Sequence, residues 1–177
     1  MLTYMPYLGA SVAGNVRVGN ALGAGDVHRA EVASNLTMAC AATMGIINMM
    51  ILLSFRNVLP RLFTTDVDII QQAGQLLLIS AMYQFPDAIF ACTQGIFRGS
   101  GRQALSAKFN FIAFYIIGLP LGYFLGITLD FGVVGLWLGM TLGLFCVAIA
   151  GAIVIIRSDW EQLAAEAALR LDDDDEV

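Results

Sequence analysis

The chain has 177 residues, of which 58% are hydrophobic and only 13% charged, against roughly 25% charged in soluble globular proteins. Five of its charged residues form the run Asp172 to Glu176, and the rest balance, so the net charge of −5 belongs to that run. With a mean hydropathy of +0.76, this composition places the chain in a bilayer and excludes a basic nucleic-acid binder, a disulfide-knotted secreted module and a disordered chain.

A bilayer core of about 30 Å needs about 20 apolar residues in a helix. The first stretch, residues 2–22, is interrupted in its second half by Asn15, Arg17 and Asn20, and reads as a span whose end reaches the interface. Residues 32–55, 69–97, 109–129 and 132–156 are four further spans. Gly23–Asp26, then Asn57–Asp68 with Pro60, then Gly99–Gln103, then Asp130–Gly132 supply the connecting turns. Residues 159–171 are helix-prone and are expected along the inner membrane surface, with Trp160 as an interfacial anchor. Residues 172–177 read as an acidic, disordered tail. No segment alternates with period two over many strands, which argues against a barrel. The fold class expected is all-α, a polytopic helix bundle. Nothing after Met1 resembles a signal peptide.

Charge sets the orientation. One side of the bilayer receives Arg17, Arg29, Arg98, Arg102, Lys108, Arg157 and Arg170, while the other receives only Arg56 and Arg61. The loops near residues 25, 102 and 160 are therefore expected in the cytosol, along with the C-terminus. Transport folds are usually built from paired repeats of several helices. Five spans read as part of something larger.

Asp87 is the sharpest residue. It lies mid-span beside Pro86, among Phe85, Ala88, Ile89 and Phe90, where a carboxylate costs on the order of 2.5–3.5 kcal/mol on insertion scales. At 100° per residue, Ser80, Tyr83, Gln84, Asp87, Gln94 and Arg98 share one side of the helix. The functional reading is a proton- or cation-binding group on a wet pathway; the structural one is an acid bonded to a neighbouring helix. An ion pair with Arg98 is not expected, because eleven residues of helix rise about 16 Å. Pro86 and Pro120 are expected to kink their helices.

Gly118, Gly122 and Gly126 recur every four residues, as do Gly135, Gly139 and Gly143. Each set makes a flat stripe, read as helix packing before a sliding surface. Cys40, Cys92 and Cys146 have no metal-ligand spacing, and His28 is the only histidine, so no metal and no cofactor is expected. Gly23-Ala24-Gly25-Asp26 matches an intramembrane aspartyl-protease pattern, but its flanking residues read as a solvated loop and no span supplies a second acid. It is not a nucleotide loop either, since no strand precedes it and no Lys-Ser/Thr follows. No enzyme activity is expected. The sequon Asn35-Leu36-Thr37 falls on the inner face and is expected to stay unmodified.

Several of these segments, in order, resemble the multidrug and toxin extrusion (MATE) transporters of eukaryotes. Arg17 to Gly25 is similar to the segment closing the eighth helix of that family, and Phe63-Thr64-Thr65-Asp66 to the loop after the ninth. Gln94 to Gln103 resembles the end of the tenth helix and its loop. Asn110, Tyr115 and Gly118-Leu119-Pro120-Leu121-Gly122 resemble the eleventh. Gly132 to Gly139 resembles the entry to the twelfth, and Ser158-Asp159-Trp160 its exit.

The resemblance implies most of the second lobe of a twelve-helix, two-lobed transporter. It implies export of organic cations and other xenobiotics in exchange for protons, with sodium the lesser candidate, and a multi-pass location in the plasma membrane. The family's acidic residue in the tenth helix falls on Asp87, and Tyr4 matches a cavity-facing aromatic. Tyr83, Gln94, Tyr4 and Tyr115 are the expected cavity residues, through cation–π contact or hydrogen bonding. The expected partners are the organic cation, the proton, the lipid bilayer and the missing N-terminal lobe or a full-length transporter. The alternative is a fragment or membrane partner subunit without autonomous activity.

Overall fold

The computed structural model describes residues 3–175, and within them every regular element is a helix. Helix α1 runs Met5–Gly23 and α2 Val27–Phe55. A short 3₁₀ turn, Leu59–Leu62, leads to α3, Val67–Gly99. Helix α4 runs Gln103–Thr128, α5 Gly132–Ile156 and α6 Trp160–Asp175. Four of these, α2 to α5, are long and apolar enough to cross a membrane. Helix α1 is less apolar, as its Asn15, Arg17 and Asn20 foretell, but its 19 residues rise about 28 Å. The chain is a multi-pass membrane protein. Residue 2, the expected start of the first span, lies outside the described residues.

Local chemistry sets the helix ends. Asp26 accepts a hydrogen bond from the Arg29 amide at 2.9 Å and caps α2, satisfying a donor that the first turn leaves orphaned. The protease-like Gly-x-Gly-Asp pattern is thus a helix junction. Asp66 likewise accepts from the amides of Asp68 and Ile69 at 2.9 and 3.3 Å. Gly25 and Gly101 sit at φ +68° and +72°, a left-handed conformation that costs glycine little and side-chain-bearing residues more.

Helix α3 is the centre of the bundle and packs against α1, α2 and α5. It passes through the buried Pro86 as one helix. Around Pro120, α4 adopts wide π-helical turns at Ile112–Gly118 and Phe124–Thr128. Such turns appear where the regular hydrogen-bond ladder cannot be kept. The two glycine stripes face each other as an antiparallel ladder. Gly118 meets Gly143, Gly122 meets Gly139, and Gly126 meets Gly135, backbone against backbone. A Cβ at Gly139 would collide with the Gly122 backbone. Large apolar side chains such as Ile46, Ile47, Met50 and Ile51 on α2 point away from the bundle, the arrangement expected of a lipid-facing surface.

Helix α6 folds back beneath α1 and α2. Trp160, Leu163 and Ala164 are buried in a cluster with Val18, Leu22, Ala30, Phe97 and Ile155. This corrects the expectation of Trp160 as an interfacial anchor: the indole covers the end of the bundle, because Phe97 and Val18 offer it apolar area there. Arg102 fastens this end. Its Nη1 donates to Ser158 Oγ at 2.8 Å, its Nε donates to Ser100 Oγ at 3.0 Å, and its guanidinium lies 5.3 Å from the Phe97 ring centre. Burial lowers the pKa of Arg102 from the usual arginine range, and Glu166 opposes that shift. The helix continues through Asp175, so Asp172 to Asp175 extend α6, where a disordered tail was expected. Residues 176 and 177 lie outside the described residues.

Candidate functional site: a polar cavity between three helices

Three helices meet around a cavity of about 320 Å³. Tyr4 and Leu8 line it from the start of α1. Asp87, Phe90, Ala91, Gln94 and Arg98 line it from one face of α3, and Asn110 and Phe114 from α4. Positions 87, 90, 91, 94 and 98 are spaced by three and four residues, so the helical period alone puts them on one side.

Asp87 is half-buried. Among the described residues no ion pair or hydrogen bond reaches its carboxylate; the one ion pair found there joins Arg170 to Glu166 at 3.4 Å, on α6. The structural alternative, an acid tied to a neighbouring helix, therefore finds no partner here. Gln94 is buried, and its Oε1 accepts from the Ser106 hydroxyl while its Nε2 has no partner. An orphaned amide donor in a buried setting is costly, and a polar guest in the cavity would satisfy it. Arg98 lies at the far end. Its Nη2 donates to Ser11 Oγ at 3.2 Å, and Ser11 donates on to the Ala91 carbonyl at 2.6 Å. The cavity thus carries an acid at one end, a base at the other, and amides between.

Not every expected residue arrives. Tyr4, Gln94 and Asp87 come together. Tyr83 does not: it stands edge-on to Trp137 of α5, ring centres 6.3 Å apart, and lines a separate outer groove with Leu136 and Met140. It lies one turn, about 6 Å, beyond Asp87, where α5 offers a ring to pack on. Tyr115 is 63% exposed and stacks on Phe111 at 5.4 Å. The wide turns of α4 change the rotation per residue, and Phe114 takes the cavity position beside it.

Tyr7 and Asn48 escaped sequence reasoning. Tyr7 is fully buried, donates to Gln84 Oε1 at 3.0 Å and accepts from Asn48 Nδ2 at 2.7 Å. This network ties α1, α2 and α3 together beside the Asp87 face. The available signal was Asn48 itself, a lone amide between Ile47 and Met49, since polar groups inside a membrane span are expensive and usually paired. Ser106 had no such signal. Cys40, Cys92 and Cys146 are free thiols.

Fold and cavity together define a polytopic helical membrane protein with a partly open polar cavity between three of its helices. The MatE family model matches residues 1–124. The chain is 34% identical over 169 residues to multidrug and toxin extrusion protein 1 of Danio rerio, covering 96% of this chain and 29% of that protein. It is 35% identical over 167 residues to the Homo sapiens protein of the same name, covering 94% and 29%. The crystal structure of the eukaryotic MATE transporter AtDTX14 superposes with a TM-score of 0.88 at 28% identity, over 95% of this chain and 38% of that one. An inward-facing multidrug resistance MATE transporter shares the fold, with a TM-score of 0.79 at 16% identity. The chain belongs to the MATE family. It spans about 29% of the length of the curated relatives it matches.

Proposed function

We propose that this chain forms part of a secondary active antiporter that exports organic cations and other xenobiotics in exchange for protons. The observation that carries the reading is Asp87, an acid with no hydrogen-bond or ion-pair partner among the described residues, on a membrane-crossing helix and facing a cavity also lined by Tyr4, Gln94, Arg98 and Asn110. A cationic guest and a proton compete for one carboxylate. Protonation of Asp87 weakens the hold on the cation. The proton gradient then sets direction, because the two faces of the membrane present different proton activities to the same site. Tyr4 contributes a ring face to an organic cation, and Gln94 an amide donor to its polar groups.

The orientation supporting this reading keeps the ends near residues 25, 102 and 160 in the cytosol, since seven of nine cationic side chains lie there. The C-terminus is then cytosolic, and the plasma membrane as location is carried by the likeness to MATE transporters. The site works together with an N-terminal lobe or a full-length transporter as partner. The competing reading is a fragment or membrane partner without transport of its own.

The test is efflux of a fluorescent organic cation from proteoliposomes under an imposed pH gradient. The chain is reconstituted alone and with a full-length MATE relative, each with wild-type Asp87 and with Asp87→Asn. Gradient-driven efflux by the chain alone that disappears in Asp87→Asn supports the antiporter reading. No efflux alone, with altered efflux by the relative when the chain is present, supports the partner reading. Efflux unchanged by Asp87→Asn would overturn the role of the carboxylate.

A further inference from the structure

A second cavity, of about 450 Å³, lies between the last turns of α1 and the first turns of α2. Arg17 and Asn20 line it from α1, Arg29 from α2. Neither arginine belongs to an ion pair among the described residues. The nearby acids are engaged or turned away: Asp26 caps α2, and Glu31 follows Arg29 by two residues, placing it across the helix. About one and two helical turns further along α2, Val32 and Leu36 line the same cleft and are 48% and 53% exposed. The cleft is therefore basic and hydrogen-bonding at the end of the helices, and apolar toward the middle of the bilayer.

That gradient matches a phospholipid with a negatively charged headgroup. Two guanidiniums present planar forks of donors suited to phosphate oxygens, and basic pockets between membrane helices suit anionic headgroups. We propose that the cleft between α1 and α2 binds an anionic phospholipid, with its phosphate on Arg17 and Arg29, Asn20 on a neighbouring oxygen, and an acyl chain along Val32 and Leu36. The site is separate from the Asp87 cavity and does not depend on the transport reading. It requires only that the chain lie in a bilayer.

The test is native mass spectrometry of the purified full chain in nonionic detergent, titrated with phosphatidylglycerol, with phosphatidylcholine of identical acyl chains, and separately with inorganic phosphate. Phosphatidylglycerol is expected to bind about tenfold or more tightly than phosphatidylcholine. The double variant Arg17→Gln, Arg29→Gln is expected to remove that preference, while Arg17→Lys, Arg29→Lys retains much of it. Arg56→Gln with Arg61→Gln, at the opposite end of α2, is expected to leave it intact. Equal retention of both lipids, or a preference that survives the glutamine pair, overturns the proposal. Competition by millimolar inorganic phosphate alone would also overturn it, in favour of a free-anion site. The readout needs neither transport nor sidedness, so its failure is separable from failure of the antiporter reading.

Discussion

The hydroxyl of Tyr7 donates to Gln84 Oε1 at 3.0 Å, joining α1 to α3 inside the bundle, and the same oxygen accepts from Asn48 of α2 at 2.7 Å. One phenol thereby ties three helices together. Hydrogen bonds between membrane helices average about 0.6 kcal/mol, with a maximum near 1.7. Tyr7→Phe removes two of them, so it is expected to destabilise the chain by about 1–2 kcal/mol. A lowered melting temperature in detergent, read by circular dichroism, checks this. Wild-type melting would show that the network is incidental.

Packing of α4 on α5 depends on absent side chains. Because a Cβ at Gly139 meets the Gly122 backbone, Gly139→Ala should force the helices apart and cost about 1–3 kcal/mol, as overpacking does. Gly9 has no heavy atom within 4 Å of an added Cβ, so Gly9→Ala should cost nothing. Melting curves of the two variants side by side decide the matter.

The cavity separates the tyrosines by position: Tyr4 lines it, while Tyr83 and Tyr115 lie outside. Tyr4→Ala is expected to weaken organic-cation transport severalfold through loss of a ring face, measured in the reconstituted assay. Tyr83→Phe and Tyr115→Phe should leave transport near wild type, since one ring packs on Trp137 and the other on Phe111 outside the cavity. Transport lost in either phenylalanine variant would require a different pathway through the bundle.

Arg102 holds α6 to the end of α3 through Ser158. Arg102→Met keeps part of the contact with Phe97 and removes the fork of donors. Hydrogen exchange in Trp160–Asp175 is expected to quicken while exchange in α3 stays slow. If α6 amides remain as protected as in wild type, apolar burial of Trp160 and Leu163 is sufficient by itself.

Bilayer-length apolar runs, glycines at intervals of four and a lone mid-span acid were readable in the chain because they follow from spacing along one helix. Residues 132–156 form the helix Gly132–Ile156, and the structure pairs the two small-residue stripes with one another. Asp87 with Gln94 on one face also follows from the helical period alone. Tertiary structure decided everything that needs a second helix. It sent Tyr83 to Trp137, turned Tyr115 outward through the wide turns of α4, brought Asn48 to Tyr7, and buried Trp160 beneath the bundle. A sequence specifies which side of its own helix a residue occupies, since 100° of rotation per residue is local geometry. Which neighbour fills the space opposite depends on how separate helices pack, and no periodicity within one helix encodes that.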